Sequence, residues 1–272
     1  MIASDGQTVS VNIKQLGDSK HHLGECYNIK LIEDNNKTTA ALVKPSNHNA
    51  KEVLEEKIGF IEYYNNEKKL AHVYDASNNH YIIGHTPFLK DLKYILFFAV
   101  PVDDYEINKR PSKNGLQISR AIYSGRIRST KALQSFPEHV GVVDGVNEDK
   151  QLFHCVFGRD VGTIIRYSDT HVRPRPGDVV VARYIVKRDK DNKALIKILD
   201  IEIDNSREIS LVKTVEGTVQ TNINEKGKKF GFVEDYYIPE YLLNGVDDGD
   251  VISVKVILDG DKWRAVSRIP QE

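Results

Sequence analysis

The chain carries little sulfur and almost no net charge. Its 272 residues include two cysteines, one methionine and one tryptophan, and the net charge is −1. Cys26 and Cys155 lie far apart with no CxxC spacing. That argues against a zinc ribbon or a disulfide framework and fits two free thiols in a reducing cytoplasm. No apolar run approaches the roughly 18 residues that a membrane helix needs. The longest, YILFFAVP at 94–101, suits a buried strand. The opening MIASDGQTVSVN lacks the basic start and apolar stretch of a secretion signal, so a cytoplasmic protein with no membrane partner is expected. The motifs GxxxxGK[ST], HExxH, GxSxG and GxGxxG are all missing. His21, His22, His72, His139, His154 and Cys155 have no ligand spacing, and adjacent strand residues such as 154 and 155 point to opposite faces. The expectation is a non-enzyme that uses neither metal nor cofactor.

Hydrophobic residues make up 40% and charged residues 28%, which suits folded domains rather than disorder, and the length allows two or three of them. The charge is uneven. Between Tyr105 and Phe136 seven cations, among them Arg110, Lys113, Arg126 and Arg128, face the single acid Glu106. Such a stripe attracts a polyanion, or serves simply as a solvated linker. From Ser210 to Glu272 eight cations face eleven acids, which weighs against a phosphate-driven site there.

A repeat organises most of the chain. Gly59, Gly141 and Gly217 each sit in a short apolar strand, in IGFIEY, VGVVDG and EGTVQT, 82 and then 76 residues apart. Four further strand-like segments follow each glycine. They are AHVYD, HYIIG, LKYILFFAV and LQISRAI; then FHCVF, GTIIR, GDVVVARYIV and ALIKILDI; then FGFVE, YYIPE, GDVISVKVI and KWRAVSRI. Asn, Asp and Gly residues punctuate them, as hairpins require. Five short strands in such a span close into a small barrel, and closure removes exposed sheet edges. The fold class expected is all-β: tandem five-stranded antiparallel barrels of the OB or cold-shock kind, at 57–125, 126–209 and 210–272, behind a β-rich extension at 1–56. In that extension QTVSVNI at 7–13, CYNIKLIED at 26–34 and TTAALVK at 38–44 read as strands, the last two as a hairpin, and AKEVLEEK at 50–57 as one or two helical turns. It fits equally a degenerate barrel, a small sheet packed on the first barrel, or a dimerisation strip.

The last repeat carries specific motifs: KKFGFV at 228–233, YYIP at 236–239, LLNGVDDGDVISVKVI at 242–257 and KWRAVSRI at 262–269. In this it resembles a cold-shock domain, particularly the variety found in bacterial exoribonucleases. Lys228, Phe230, Gly231, Phe232 and Val233 match one motif of that family. Tyr237, Ile238 and Pro239 match a second, and Leu243, Asn244, Gly245, Gly249 and Asp250 a third. The likeness implies a barrel whose outer aromatics bind single-stranded nucleic acid. One departure is plain: where cold-shock proteins carry lysine, tryptophan and phenylalanine on the first strand, this chain has Gln220, Thr221 and Asn222.

Side-chain alternation supports the same residues independently. Phe230 and Phe232 fall on one sheet face, and Tyr237 on the next strand extends it into a platform on which bases stack at roughly 1–3 kcal/mol each. Lys226, Lys228 and Lys229 stand beside it for phosphates, and Trp263 is a further candidate ring. In the middle repeat, register with FGFVE aligns Phe153 with Phe230 and Cys155 with Phe232; a slip of one residue would exchange the faces. Arg159, Arg166, Arg173, Arg175, Arg183 and Lys187 of that repeat suit phosphates and ion pairs equally well. The functional expectation is non-catalytic binding of single-stranded RNA or DNA, RNA favoured. The alternative is a docking module for a nucleic-acid-processing protein.

Overall fold

A computed structural model describes residues 9, 11 and 25–270, except 35–36, 85–86, 100–109, 112–116, 160, 190 and 192. The described part is mostly β. Strands β1 (Glu25–Asp34) and β2 (Lys37–Asn49) form a separate two-stranded sheet, with Ile29 opposite Val43 and Asp34 opposite Lys37. A four-residue helix, Ala50–Val53, follows. The expected 7–13 strand lies almost wholly outside the described residues. No described helix is long and apolar enough to cross a membrane.

Three barrel-like sheets follow, each with the same strand order. The first contains β3 (Glu55–Asn65), β4 (Leu70–Asp75), β5 (His80–Gly84), β6 (Tyr94–Ala99) and β8 (Gln117–Arg126), with the two-residue β7 (Arg110–Pro111) beside β8. The second contains β9 (Glu138–Asn147), β10 (Leu152–Gly158), β11 (Val161–Arg166), β12 (Val179–Arg188) and β13 (Ala194–Ile203). The third is a closed barrel of β14 (Val212–Ile223), β15 (Lys229–Val233), β16 (Tyr236–Ile238), β17 (Val251–Asp259) and β18 (Lys262–Ile269). In the first and third, the third and fifth strands seal the ring by parallel pairing: Tyr81 with Ser119, and Tyr237 with Arg264. The expected five-stranded barrels are thus antiparallel except where each of these two rings closes. A ring with an odd number of strands cannot alternate direction all the way round.

The repeat glycines mark where strands cross closely. A Cβ at Gly59 would lie 2.3 Å from Val73 Cγ1 and 2.6 Å from Phe97 Cε1. One at Gly141 would lie 2.6 Å from Phe157 Cδ1, and one at Gly217 would lie 3.0 Å from Val233 Cγ1. Those side chains belong to strands paired with the glycine's own, so the missing Cβ lets a neighbouring strand's side chain lie over the first strand of each barrel.

By chain contacts the molecule divides into two compact units: Met1–Pro137 with Ile185–Leu195, and Glu138–Tyr184 with Ile196–Glu272. In the first unit Val73, Tyr81, Ile83, Leu89, Ile95 and Phe97 fill the barrel. Its β4–β5 turn is built on the buried Asp75. Oδ1 of that residue accepts the backbone N–H groups of Ser77 and Asn79, and Oδ2 accepts Asn79 Nδ2 and the Tyr81 hydroxyl. Also in this unit, Lys187 pairs with Glu62, and the Val186 N–H donates to Asn78 Oδ1 at 2.6 Å. In the second unit Val219, Val233, Ile238, Val254, Val256 and Ala265 form the core of the last barrel. A separate apolar seam, Val142, Leu211, Ile257 and Val266 with Val156 packed against it, joins that barrel to the strands β9 and β10. Both cysteines are free. Cys155 is fully buried, and burial pushes its thiol pKa well up.

Candidate nucleic-acid interface

Strand β15 is short, and its alternation decides which side chains can meet a ligand. Gly231 and Val233 are buried, whereas Phe230 and Phe232 are half-buried and lie on the outer face. A Cβ on Gly231 would sit 3.0 Å from both the Gln220 carbonyl oxygen and Val219 Cγ2, so the inward position has room for hydrogen only. Phe232 pairs directly with Tyr237 of β16, a residue that is 43% exposed. The three rings form a triangle. Phe230 and Tyr237 are 6.0 Å apart and 27° from parallel, Phe230 and Phe232 are 5.9 Å apart, and Phe232 and Tyr237 are 5.9 Å apart. Edge-to-face packing holds each ring while leaving apolar surface open.

The lysines divide. Asn224 Oδ1 accepts the backbone N–H groups of Lys226 and Lys228 at 2.9 and 3.0 Å, which fixes the β14–β15 turn and leaves both side chains exposed beside the rings. Lys229 does not join them. It shares the inward parity of Gly231, and its ammonium donates to the Val246 carbonyl at 2.6 Å. The expectation that it meets phosphate is corrected accordingly. Acids crowd the far side of the face: Glu234 and Asp235 are exposed at the β15–β16 turn, and Asp248 Oδ1 accepts the Thr221 N–H at 2.6 Å. A phosphate chain is therefore favoured only at the Lys226–Lys228 end.

Two further ring candidates fall away. Trp263 follows the inward side of β18, because its neighbour Arg264 is the one that pairs with the outward Tyr237. It packs on the barrel core, and Lys213 Nζ lies 4.4 Å from its ring centre and 4.6 Å from that of Tyr236. Phe153 is fully buried, 5.6 Å from the Tyr167 ring. Alternation along β10 is unbroken, with Phe153 and Cys155 buried and His154 and Val156 on the other face, so FHCVF sits one residue out of step with FGFVE and Phe153 takes the inward parity of Gly231. Burying the Phe153 ring is worth about 1.5–3 kcal/mol, and an interior position secures it.

The basic candidates of the first two repeats are scattered. Arg126 and Arg128 are exposed. Lys113 lies outside the described residues, as does the side chain of Arg110. In the middle repeat Arg183 pairs with Glu138, Arg159 with Asp261, and Arg173 lies over the Tyr167 ring. Ion pairing and stacking within the chain account for these cations. The outer face of β10 is also occupied, since Val156 packs in the apolar seam and His154 Nδ1 meets Asp144 Oδ1 at 2.6 Å. Asp144 accepts Arg264 as well, at 3.2 Å. Arg264 was not singled out by sequence reasoning; alternation from Trp263 was the available signal. Gln220 and Asn222 were read only as a departure from the cold-shock pattern. They lie directly opposite Phe232 and Phe230, and both are exposed. Among the described residues no group of three or more His, Cys, Asp or Glu side chains converges to hold a metal ion.

The match to a known family falls one barrel upstream of this platform. Residues 133–195 are similar to the S1/CSD-like domain 1 of the TOTE conflict systems. That segment contains β9 to β12 and the start of β13, so an independent likeness to S1 and cold-shock domains accompanies the barrel-like architecture there. No curated protein gives a significant match to the chain.

Proposed function

We propose that the chain is a non-catalytic binder of single-stranded nucleic acid, RNA in preference to DNA, and that the last barrel holds the contact surface. The observation that carries this reading is the outward triangle of Phe230, Phe232 and Tyr237 with two exposed lysines at one end. Stacked bases gain roughly 1–3 kcal/mol each on such rings, and duplex bases, already stacked on one another, do not. The similarity of residues 133–195 to an S1/CSD-like domain supports the nucleic-acid class and a role within a TOTE conflict system. The preference for RNA rests on the resemblance of the last barrel to those of exoribonucleases. Two free thiols suit a reducing cytoplasm.

A second reading is favoured by a different observation. The last barrel is net acidic, and the outer face of β10 is already covered by the apolar seam, as in a module that docks on a nucleic-acid-processing protein. One experiment separates the two. Labelled single-stranded RNA, single-stranded DNA and their duplexes are titrated with the full chain at several salt concentrations. The binding reading expects single strands to bind and duplexes not to. With Lys226 and Lys228 each meeting one phosphate, the plot of log K against log salt should have a slope of about −1.4. Absence of binding to every single strand would favour the docking reading.

A further inference from the structure

Stacking on phenylalanine does not distinguish one base from another. The neighbouring strand supplies what rings lack. Gln220 of β14 is the cross-strand partner of Phe232, and Asn222 is the partner of Phe230. Directly opposed residues of an antiparallel pair have Cβ atoms about 4.5–5.5 Å apart and project to the same side. Each ring therefore has one carboxamide at its border, and both carboxamides are exposed. Among the described residues nothing bonds to either of them. The residue between them is pinned, because both the N–H and Oγ1 of Thr221 reach Asp248 Oδ1, at 2.6 and 3.3 Å. The backbone that presents the two amides is thus fixed before any ligand arrives.

We propose that Gln220 and Asn222 read the edges of bases stacked on Phe232 and Phe230, and that they give the platform a preference for adenine. The inference rests on the nucleic-acid reading above. A carboxamide offers one acceptor oxygen and an NH2 donor side by side. In a single strand adenine presents the complementary pair on two edges, N6 with N7 and N6 with N1, whereas uracil presents one only around N3–H, so asparagine or glutamine can hold adenine in two-point fashion from either edge. A ring supports the base and an amide holds its edge, so stacking and identity are read by opposite strands of one hairpin.

The test measures binding of the full chain to single-stranded oligo-A and oligo-U of equal length. Three proteins are compared: wild type, Gln220→Ala with Asn222→Ala, and Phe230→Ala with Phe232→Ala. Far-ultraviolet circular dichroism checks that each is folded. Wild type is expected to favour oligo-A by about ten-fold or more. The amide variant should bring that ratio close to one while keeping its affinity for oligo-U, and the ring variant should lose affinity for both. A wild-type ratio near one, or a ratio unchanged in the amide variant, overturns the inference and leaves the binding reading standing. Failure of wild type to bind either oligonucleotide overturns both.

Discussion

Replacing Phe153 by alanine removes a ring that is fully buried and packed 5.6 Å from the Tyr167 ring. Cys155 and the cross-strand partner Ile165 are also buried, and β10 is held by ladders to β9 and β11, so the interior cannot collapse freely into the space. Phenylalanine-to-alanine changes in such cores cost about 3–5 kcal/mol, combining lost transfer energy with a retained cavity. Urea unfolding followed by circular dichroism measures that loss as a drop in midpoint at constant slope. The companion change, Phe230→Ala, removes a half-buried ring on an outer face and should cost about 1 kcal/mol or less. The pair tests which register β10 adopts. If Phe153→Ala cost under about 1 kcal/mol while Phe230→Ala cost several, the inward and outward assignments of the two barrels would be wrong.

Three further outcomes are expected in the first barrel and its turn. His80 is buried, stacked on Tyr74 at 4.6 Å and bonded to His72 at 3.0 Å, and its pKa is lowered to about 3 chiefly by burial and secondarily by His72. The unfolded chain takes up a proton near pH 6.5 that the folded chain refuses, so stability is full above that pH and falls as the pH drops toward 3. At about pH 5 this amounts to about 2 kcal/mol, and His80→Phe should reduce the difference in unfolding free energy between about pH 7 and pH 5, read from urea melts, by that amount. Asp75→Ala strips four donors in the β4–β5 turn of their acceptor and should destabilise by about 3 kcal/mol, read by thermal unfolding; a neutral effect would mean that those donors find water. Gly59→Val places a branched side chain where Val73 and Phe97 already crowd the Cβ position, and soluble yield with a native spectrum should be lost.

Much of the architecture was legible because the repeat has a physical cause. Gly59, Gly141 and Gly217 recur on the first strand of each barrel, where a side chain of a paired strand closes over the missing Cβ. Alternation placed Phe230 and Phe232 on one face, because β15 meets both of its neighbours without a register shift that would reverse it. The same rule applied one residue earlier would have sent Lys229 inward. Phe153 was misplaced by the alignment and not by the rule: FHCVF is offset by one residue from FGFVE, so Phe153 takes the inward parity of Gly231 and His154 the outward parity of Phe232. The linkage of Asp144 to Arg264 was beyond reach, since it depends on two strands 120 residues apart meeting across barrels of one unit. The amides at 220 and 222 were visible as residues, but their placement opposite the rings requires the pairing of β14 with β15.

The most direct measurement is fluorescence anisotropy of labelled single-stranded RNA titrated with wild type and with the Phe230→Ala, Phe232→Ala double variant at one salt concentration. Two lost stacks at about 1 kcal/mol or more each predict an affinity drop of at least about 30-fold with the fold intact. Equal affinity of the two proteins would contradict the assignment of the ring face as the binding surface.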